Sequence, residues 1–459
     1  MTSEVPLRRA LGPGALILLG VGAVIGTGIF TLTGQVAARH AGPAIALSMV
    51  IAGVVASLAG LCYAELATMF PVAGSAYSYA RAAFGPFVAW VIGWDLVLEY
   101  ALSVATVAVG WSGNLRSLLM DAGIALPAAA FDWPAALAVA AVTALLVRGV
   151  RESAAVNAAI VLVKVAVILV VIGCGALFVR TGLWHPFVPA NTGAFGDFGW
   201  SGVLRGASVI FFAYIGFDSV STAAQECTHP ERDLPRGLFG SLLICTVLYV
   251  AVSLVMVGLR PYGELDDPAP MALAVDAARA RAQGSALAPV VRSLSLLVKV
   301  GTFLGLSSTM VVTMLGQTRV CWAMARDGLL PAWTAAVHPR FRTPWLATIA
   351  TGAGCALAAA LTPITVLGQL VSIGTLFAFV VVSLGLLVLR RTRPELPRPF
   401  RVPFVPWLPL AAALVSLLLM AGLPLATWLR LFAWLLLGMV FYAARARQRP
   451  SVNDADSAA

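Results

Sequence analysis

The sequence predicts an all-α protein that crosses a membrane many times, and three observations carry this prediction. Of its 459 residues, 60% are hydrophobic and only 11% are charged, whereas about a quarter are charged in ordinary soluble domains. The mean hydropathy is +0.93. The apolar residues form runs near the ~20 residues that a helix needs to cross a bilayer core. A soluble enzyme is therefore excluded.

Twelve such runs follow one another along the chain. Their predicted bounds are 14–38, 43–66, 86–112, 133–148, 156–179, 201–226, 237–259, 290–321, 345–361, 364–389, 404–422 and 427–444. Because the number is even, both termini are expected on the same side of the membrane.

The distribution of arginines gives the orientation. If the N-terminus is inside, nineteen arginines fall on the inner side and nine on the outer side, as the positive-inside rule requires. We therefore expect the protein to lie in the plasma (inner) membrane of a cell, with both termini, residues 1–13 and 446–459, in the cytoplasm. We attribute the net charge of +10 to arginines that set the orientation of the chain in the membrane. Membrane lipid, and not nucleic acid, is therefore the expected partner. No protein partner is predicted.

The first and sixth runs are interrupted by glycine. Gly26 and Gly28 flank Thr27, and Gly216 precedes Asp218. Breaks five runs apart are typical of two inverted five-helix repeats that meet at mid-membrane. The sequence thus predicts a transport core at 14–389, with repeats at about 14–180 and 200–389, and two additional helices at 390–445. Small-residue packing between helices would also explain the first glycines.

Few ionisable residues lie within the runs, and each is a candidate for function. Asp95 and Glu99 are four residues apart and share one helix face, although a purely structural contact is an alternative. Asp218 adjoins the second break. The chain has two lysines, Lys164 and Lys299, and either could instead extend to the membrane interface, Lys299 more readily.

Cysteines and histidines indicate no cofactor and no metal site. The six cysteines lie in or beside apolar runs without CxxC spacing, and the four histidines lie in connections. The polar groups within the runs include no nucleophile and base pair, so the sequence does not predict an enzyme. A short interfacial helix is expected in the outer connection, residues 260–289.

Five segments of this sequence carry a resemblance to a known protein family. They are GAVIGTGIF (22–30), CYAELATMFPVAGSAYSYARAAFG (62–85), GWDLVLEYALSVATVAVGWS (93–112), FFAYIGFDSVSTAAQECTHPERDLPRG (211–237) and LGQTRVCWAMARDGLLP (315–331). In this order they resemble the amino acid permeases of the amino acid, polyamine and organocation superfamily, most closely the cationic amino acid transporter branch. The resemblance covers nearly the whole chain. It implies a LeuT-like fold with an amino acid substrate between broken helices one and six.

The resemblance also implies a role for the backbone at the breaks. The amides of Thr27 and Gly28 would hold the substrate carboxylate at the positive end of a half-helix. The substrate ammonium would meet the carbonyls of Val24, Phe212 and Ile215.

Three side chains complete the substrate site that the resemblance implies. Phe212 would cover the substrate, Glu99 would face its side chain, and Asp218 would lie beside the unwound sixth helix. Glu99 alone does not specify the substrate. A carboxylate in a hydrated pocket can bind a cationic side chain directly, or a small neutral substrate through a bridging water molecule.

Lys164 occupies the position where related proton-coupled permeases carry a lysine in place of a sodium ion. The resemblance implies that its ammonium reaches the carbonyls of Gly22 and Ile25 and the hydroxyls of Ser307 and Ser308. Burial disfavours the charged form of an amine, so a proton, and no other cofactor, is the expected coupling ion.

The predicted function is uptake of an amino acid by proton symport with alternating access. An amino acid exchanger, in which Lys164 stays protonated, is an alternative. A sensor that binds an amino acid without moving it is a more distant one.

Overall fold

The computed structural model describes residues 11–70, 75–127, 131–149, 154–222, 227–285 and 288–446. The predicted cytoplasmic segments 1–13 and 446–459 therefore lie almost wholly outside the described residues. The described chain is helical, apart from an isolated bridge between Leu11 and Cys227. Its α-helices are α1 (Pro13–Val24), α2 (Thr33–Val36), α3 (Ile45–Met69), α4 (Ser75–Phe84), α5 (Pro86–Asp121), α6 (Trp133–Arg148), α7 (Ala154–Ala176), α8 (Gly199–Ile210), α9 (Ser219–Thr222), α10 (Pro230–Leu259), α11 (Pro270–Ala282), α12 (Ala288–Arg326), α13 (Trp345–Leu361), α14 (Ile364–Thr392), α15 (Trp407–Gly422) and α16 (Leu425–Ala446).

Seven helical segments of the described chain are long and apolar enough to cross a membrane, and shorter apolar helices accompany them. The seven are Gly28–Met69, Pro86–Asp121, Ala158–Ala176, Pro230–Leu259, Ala288–Arg326, Ile364–Thr392 and Leu425–Ala444. A helix or a broken helix lies in each of the twelve predicted intervals. The all-helical prediction is confirmed, and the count of twelve crossings stays a prediction.

The two predicted breaks are present. Helix α1 ends at Val24, Ile25 is extended, and a π-helical turn begins at Gly28 and leads into α2. Helix α8 ends at Ile210 and passes through a 3-10 turn, Phe211–Tyr214, before an extended Ile215. Gly216 has a φ of +103°, in a region where a side chain is strained. The glycines thus mark the points where the chain leaves regular helix.

Helices α5 and α12 are longer than their predicted spans of 86–112 and 290–321. They contain 36 and 39 residues, which at 1.5 Å per residue gives roughly 54 and 58 Å. Both exceed the ~30 Å bilayer core. Hydropathy marked only their apolar middle, because their polar ends, with Asp121 and Arg326, remain helical.

The outer connection contains a helix, α11, as expected, but its predicted place at the lipid interface is wrong. Met271, Ala274 and Val275 are buried, and a Cβ on Gly34 would lie 2.2 Å from Pro270. The apolar face of α11 is therefore covered by protein. We call α11 the lid helix, because it packs across α2 and the start of α12.

Helix α16 is fastened to α5 by indole rings. Trp94 and Trp434 stack with centroids 4.7 Å apart. The Nε1 of Trp94 donates to the carbonyl of Trp434 at 2.9 Å, and the Nε1 of Trp434 donates to the carbonyl of Trp94 at 3.0 Å. Trp90 adds a bond of 3.1 Å to the carbonyl of Gly438. The last helix is thus bound directly to the helix that carries Asp95 and Glu99.

Candidate substrate and coupling site

The two broken segments touch each other. A Cβ on Gly28 would lie 2.3 Å from the Cα of Ala213, and a Cβ on Gly216 would lie 2.7 Å from the carbonyl oxygen of Ala23. Both distances are too short for any side chain larger than hydrogen. Glycine at these two positions lets the interrupted backbones meet.

The predicted carboxylate site lies where helical backbone resumes after the first break. The amide of Phe30 donates to the carbonyl of Gly26 at 3.4 Å. The amides of Thr27 and Gly28 precede this bond, and the first amides of a helix have no acceptor within it. Such a helix start is a suitable place for a carboxylate.

The predicted ammonium site uses carbonyls that are already engaged. Val24 accepts a hydrogen bond of 2.8 Å from the hydroxyl of Tyr249, and Phe212 accepts one of 3.2 Å from the amide of Ile215. Each carbonyl oxygen keeps a second lone pair. Sequence reasoning missed Tyr249, although a tyrosine within an apolar helix needs a partner for its hydroxyl.

Phe212 is held in place by α14. Its side chain is buried, and its amide donates to Oγ of Ser372 at 3.1 Å. That hydroxyl donates in turn to the carbonyl of Val209 at 3.0 Å. Ser372 was not predicted, and it couples the second break to α14, a helix of the same predicted repeat.

Two buried carboxylates, Asp95 and Glu99, lie near the partly buried Asp218 beside the second break. Glu99 is close enough to Asp95 and Asp218 for electrostatic interaction. Among the described residues, the two carboxylate oxygens of Asp95 and Oε2 of Glu99 have no hydrogen-bond partner. Asp218 accepts a hydrogen bond of 2.9 Å from Ser75. Acidic side chains thus lie on one side of the junction, and the predicted substrate contacts of Glu99 and Asp218 stay predictions.

Lys164 is 3% exposed and joins three helical elements. Its Nζ lies 3.2 Å from the carbonyl of Gly22, 3.1 Å from that of Ile25 and 2.8 Å from Oγ1 of Thr309. The first two carbonyls belong to the break in the first helix. Lys164 on α7 therefore connects the predicted substrate site to α12.

The expected contacts of Lys164 with Ser307 and Ser308 are wrong, because Thr309 takes their place. A Cβ on Gly305 would touch Cγ of Lys164 at 3.1 Å, and a residue four positions later shares its helix face. Ser307 is turned away and accepts a hydrogen bond of 2.8 Å from Nε1 of Trp111. Ser308 lies about 100° around the helix from Thr309.

Lys299 does not extend to the membrane interface. It is 1% exposed, and its Nζ lies 2.7 Å from Asp121 at the end of α5 and 2.8 Å from Asp276 on α11. The residue that the sequence left unexplained is therefore the centre of an ion triad that fastens the lid helix to α5 and α12.

A broken-helix junction that offers free amides, carbonyls and carboxylates within an apolar bundle is characteristic of a multi-pass membrane transporter. Residues 11–442 match the amino acid permease family, and this chain belongs to that family. It is a permease and not an enzyme.

Three relatives illustrate the range of the family. The chain is 42% identical to the branched-chain amino acid permease BcaP of Bacillus subtilis (strain 168), over 98% of this chain and 96% of that protein. It is 40% identical to the methylthioribose transporter of the same organism, over 97% and 95%. It is 41% identical to the vacuolar cationic amino acid transporter 2 of Arabidopsis thaliana, over 85% of this chain but 61% of that protein.

Proposed function

We propose that this permease takes up an amino acid across the cell membrane together with a proton. In this proposal the chain crosses the membrane twelve times, with both termini in the cytoplasm, and its two inverted repeats rock about the junction of the broken helices. The contact of Gly28 with Ala213 and that of Gly216 with Ala23 support a substrate site at this junction.

The substrate carboxylate would bind the amides of Thr27 and Gly28. Its ammonium would bind the remaining lone pairs of the Val24 and Phe212 carbonyls and the carbonyl of Ile215. Phe212 would cover the bound molecule, while Glu99 and Asp218 would face its side chain. Each of these groups belongs to or adjoins a break, so substrate binding and helix movement would be linked.

The observation that carries proton coupling is the position of Lys164 between Ile25 and Thr309. A protonated lysine donates to both and holds the first break against α12. After loss of the proton the neutral amine is a weaker donor, because charge-assisted hydrogen bonds are roughly twice as strong as neutral ones. The first broken helix would then be free to move and release substrate.

Uptake into proteoliposomes tests this proposal. Vesicles without internal amino acid, acidified outside, should accumulate labelled substrate above its external concentration, and a proton ionophore should abolish the accumulation. Vesicles at equal pH should only equilibrate. Failure of the imposed pH difference to drive accumulation of a substrate that the vesicles do exchange would overturn proton symport.

Exchange is the second candidate, and one feature favours it. Lys164 has three acceptors within 3.2 Å, which satisfies all three donors of an ammonium and suits a lysine that never loses its proton. An exchanger would take up labelled amino acid only into vesicles that already contain amino acid, and an imposed pH difference would not change this uptake. The same experiment therefore separates the two functions.

Substrate class is best tested by binding. The relatives carry names for branched-chain amino acids, cationic amino acids and methylthioribose, so all three classes belong in the assay, with the remaining amino acids. Ligand stabilises the folded state in proportion to its affinity, which thermal unfolding measures. If Glu99 recognises a cationic side chain, Glu99→Gln abolishes the stabilisation by arginine or lysine and spares that by neutral amino acids.

A further inference from the structure

A cleft lies between the end of α12 and the start of α13. It has a volume of about 160 Å³ and is lined by Arg319, Trp322, Val337, Arg342 and Pro344. The arginine distribution assigns this end of α12 to the cytoplasmic side. Trp322 directly follows the predicted span 290–321, so the cleft lies at the height where indole rings meet the membrane surface.

The two arginines that line this cleft form no salt bridge within the described part of the chain. The acid that follows in sequence, Asp327, is bound by Tyr77 and Arg81, each at 2.5 Å. Two unpaired arginines that converge on one cleft attract an anion, and phosphate is a group that guanidinium recognises well.

The loop that supplies Arg342 is held in an unusual conformation. Arg342 has a φ of +56°, which is uncommon for a residue with a side chain. Its amide donates to the carbonyl of His338 at 2.9 Å, and the amide of His338 donates to the carbonyl of Thr343 at 2.8 Å. The hydroxyl of Thr343 donates to the carbonyl of Val147 on α6 at 2.7 Å. These bonds hold Arg342 in its strained conformation where it lines the cleft. Strained backbone of this kind is common at binding sites.

The remaining surface of the cleft suits the apolar part of a lipid. Val337 is 49% exposed, and Pro344 and Trp322 complete an apolar wall. Arg326 lies over the ring of Trp322 at 4.9 Å and adds a third cation. A free phosphate would use the guanidinium groups but not this wall.

We propose that this cleft binds the headgroup of an anionic phospholipid of the inner leaflet. The phosphate lies between Arg319 and Arg342, and the glycerol and first acyl carbons lie against Val337 and Trp322. Basic pockets between helices on the cytoplasmic side of a membrane commonly bind such headgroups. The site is independent of the substrate junction and of proton coupling.

Lipid binding to the purified full-length protein tests the proposal. Delipidated protein in neutral detergent is titrated with short-chain phosphatidylglycerol or phosphatidylcholine, and bound lipid is counted by native mass spectrometry. The wild type should retain phosphatidylglycerol at least tenfold more tightly than phosphatidylcholine. Arg319→Gln with Arg342→Gln should lose at least tenfold in phosphatidylglycerol affinity.

A charge-matched control uses Arg391→Gln with Arg393→Gln, two arginines at the end of α14 on the same predicted side of the membrane. The affinity of this control for phosphatidylglycerol should stay within twofold of that of the wild type. Arg319→Lys with Arg342→Lys should bind with intermediate affinity, because lysine keeps the charge but not the planar fork. Equal losses in both glutamine variants would reduce the effect to net charge and overturn the site. Displacement of the lipid by equimolar inorganic phosphate would assign the cleft to a soluble anion instead.

Discussion

The two lysines of this permease are both buried, yet their surroundings differ in one decisive respect. Lys299 lies between two carboxylates, Asp121 and Asp276, and Asp121 also pairs with Arg279 at 3.5 Å. Lys164 is bound by two carbonyls and one hydroxyl, all neutral. Lys299 thus has charged partners in the folded protein, whereas Lys164 has only neutral ones. Burial alone therefore does not identify a proton carrier.

The difference also separates two parts of the fold. Lys299 fastens the lid helix α11 to the end of α5 and the start of α12, and Lys164 fastens the first break to the middle of α12. One contact is expected to stabilise the protein, and the other is expected to change during transport. The following predictions, from the largest expected effect to the smallest, test this distinction.

Lys164→Gln should reduce accumulation driven by a pH difference at least tenfold, because glutamine keeps hydrogen-bond donors but carries no titratable proton. Lys299→Gln should lower the amount of folded protein while the transport that remains still responds to pH. Initial rates in proteoliposomes, normalised to protein reconstituted, measure both. A Lys164→Gln protein that still concentrates substrate would remove Lys164 as the proton carrier.

Asp121→Asn with Asp276→Asn should destabilise the protein more than Lys299→Met does. The double variant leaves a buried ammonium without a charged partner, which costs roughly 3–5 kcal/mol. Lys299→Met leaves carboxylates whose side chains are 30% and 35% exposed, so water can solvate them. Thermal unfolding in detergent gives the order, with Glu264→Gln, from an exposed pair, as the control. The reverse order would show that the triad does not hold the lid.

Thr309→Val should weaken coupling without abolishing it. The change removes one of three acceptors of the Lys164 ammonium while keeping the shape of the side chain. A single hydrogen bond contributes about 1 kcal/mol, so the pH-driven rate should fall about fivefold. Ser307→Ala and Ser308→Ala, whose side chains were expected at Lys164, should change it less than twofold. A larger effect of either serine variant would contradict the assignment of Thr309.

Arg39→Gln should change stability least, by at most about 1 kcal/mol. Arg39 pairs with Asp266 in the same outer region as the lid, at 2.9 Å, but their side chains are 49% and 37% exposed. High salt should remove what effect there is, since exposed pairs are screened. A loss as large as that of the Asp121 and Asp276 double variant would mean that surface pairs hold the lid.

Hydropathy and glycine spacing were enough to predict the helical architecture and both breaks, and the family resemblance implied the carbonyl contacts of Lys164. They did not predict the rotation of α12, because a long helix with apolar residues on most faces gives no signal for which face meets Lys164. Thr309 was therefore missed in favour of Ser307 and Ser308. The partners of Lys299 were missed because Asp121 lies 178 residues away, in a part of α5 that hydropathy assigned to a connection. Tyr249 and Ser372 act through backbone groups, which sequence patterns do not specify.

The indole bonds between α5 and α16 have a consequence for synthesis in the cell. Trp94 and Trp434 are separated by 340 residues, which a ribosome needs roughly 17–68 s to translate at 5–20 residues per second. Until α16 is synthesised, the indole groups of Trp90 and Trp94 lack their acceptors, the carbonyls of Gly438 and Trp434. A nascent chain that stalls before α16 would leave these rings uncovered, so α16 completes the packing of this face of α5.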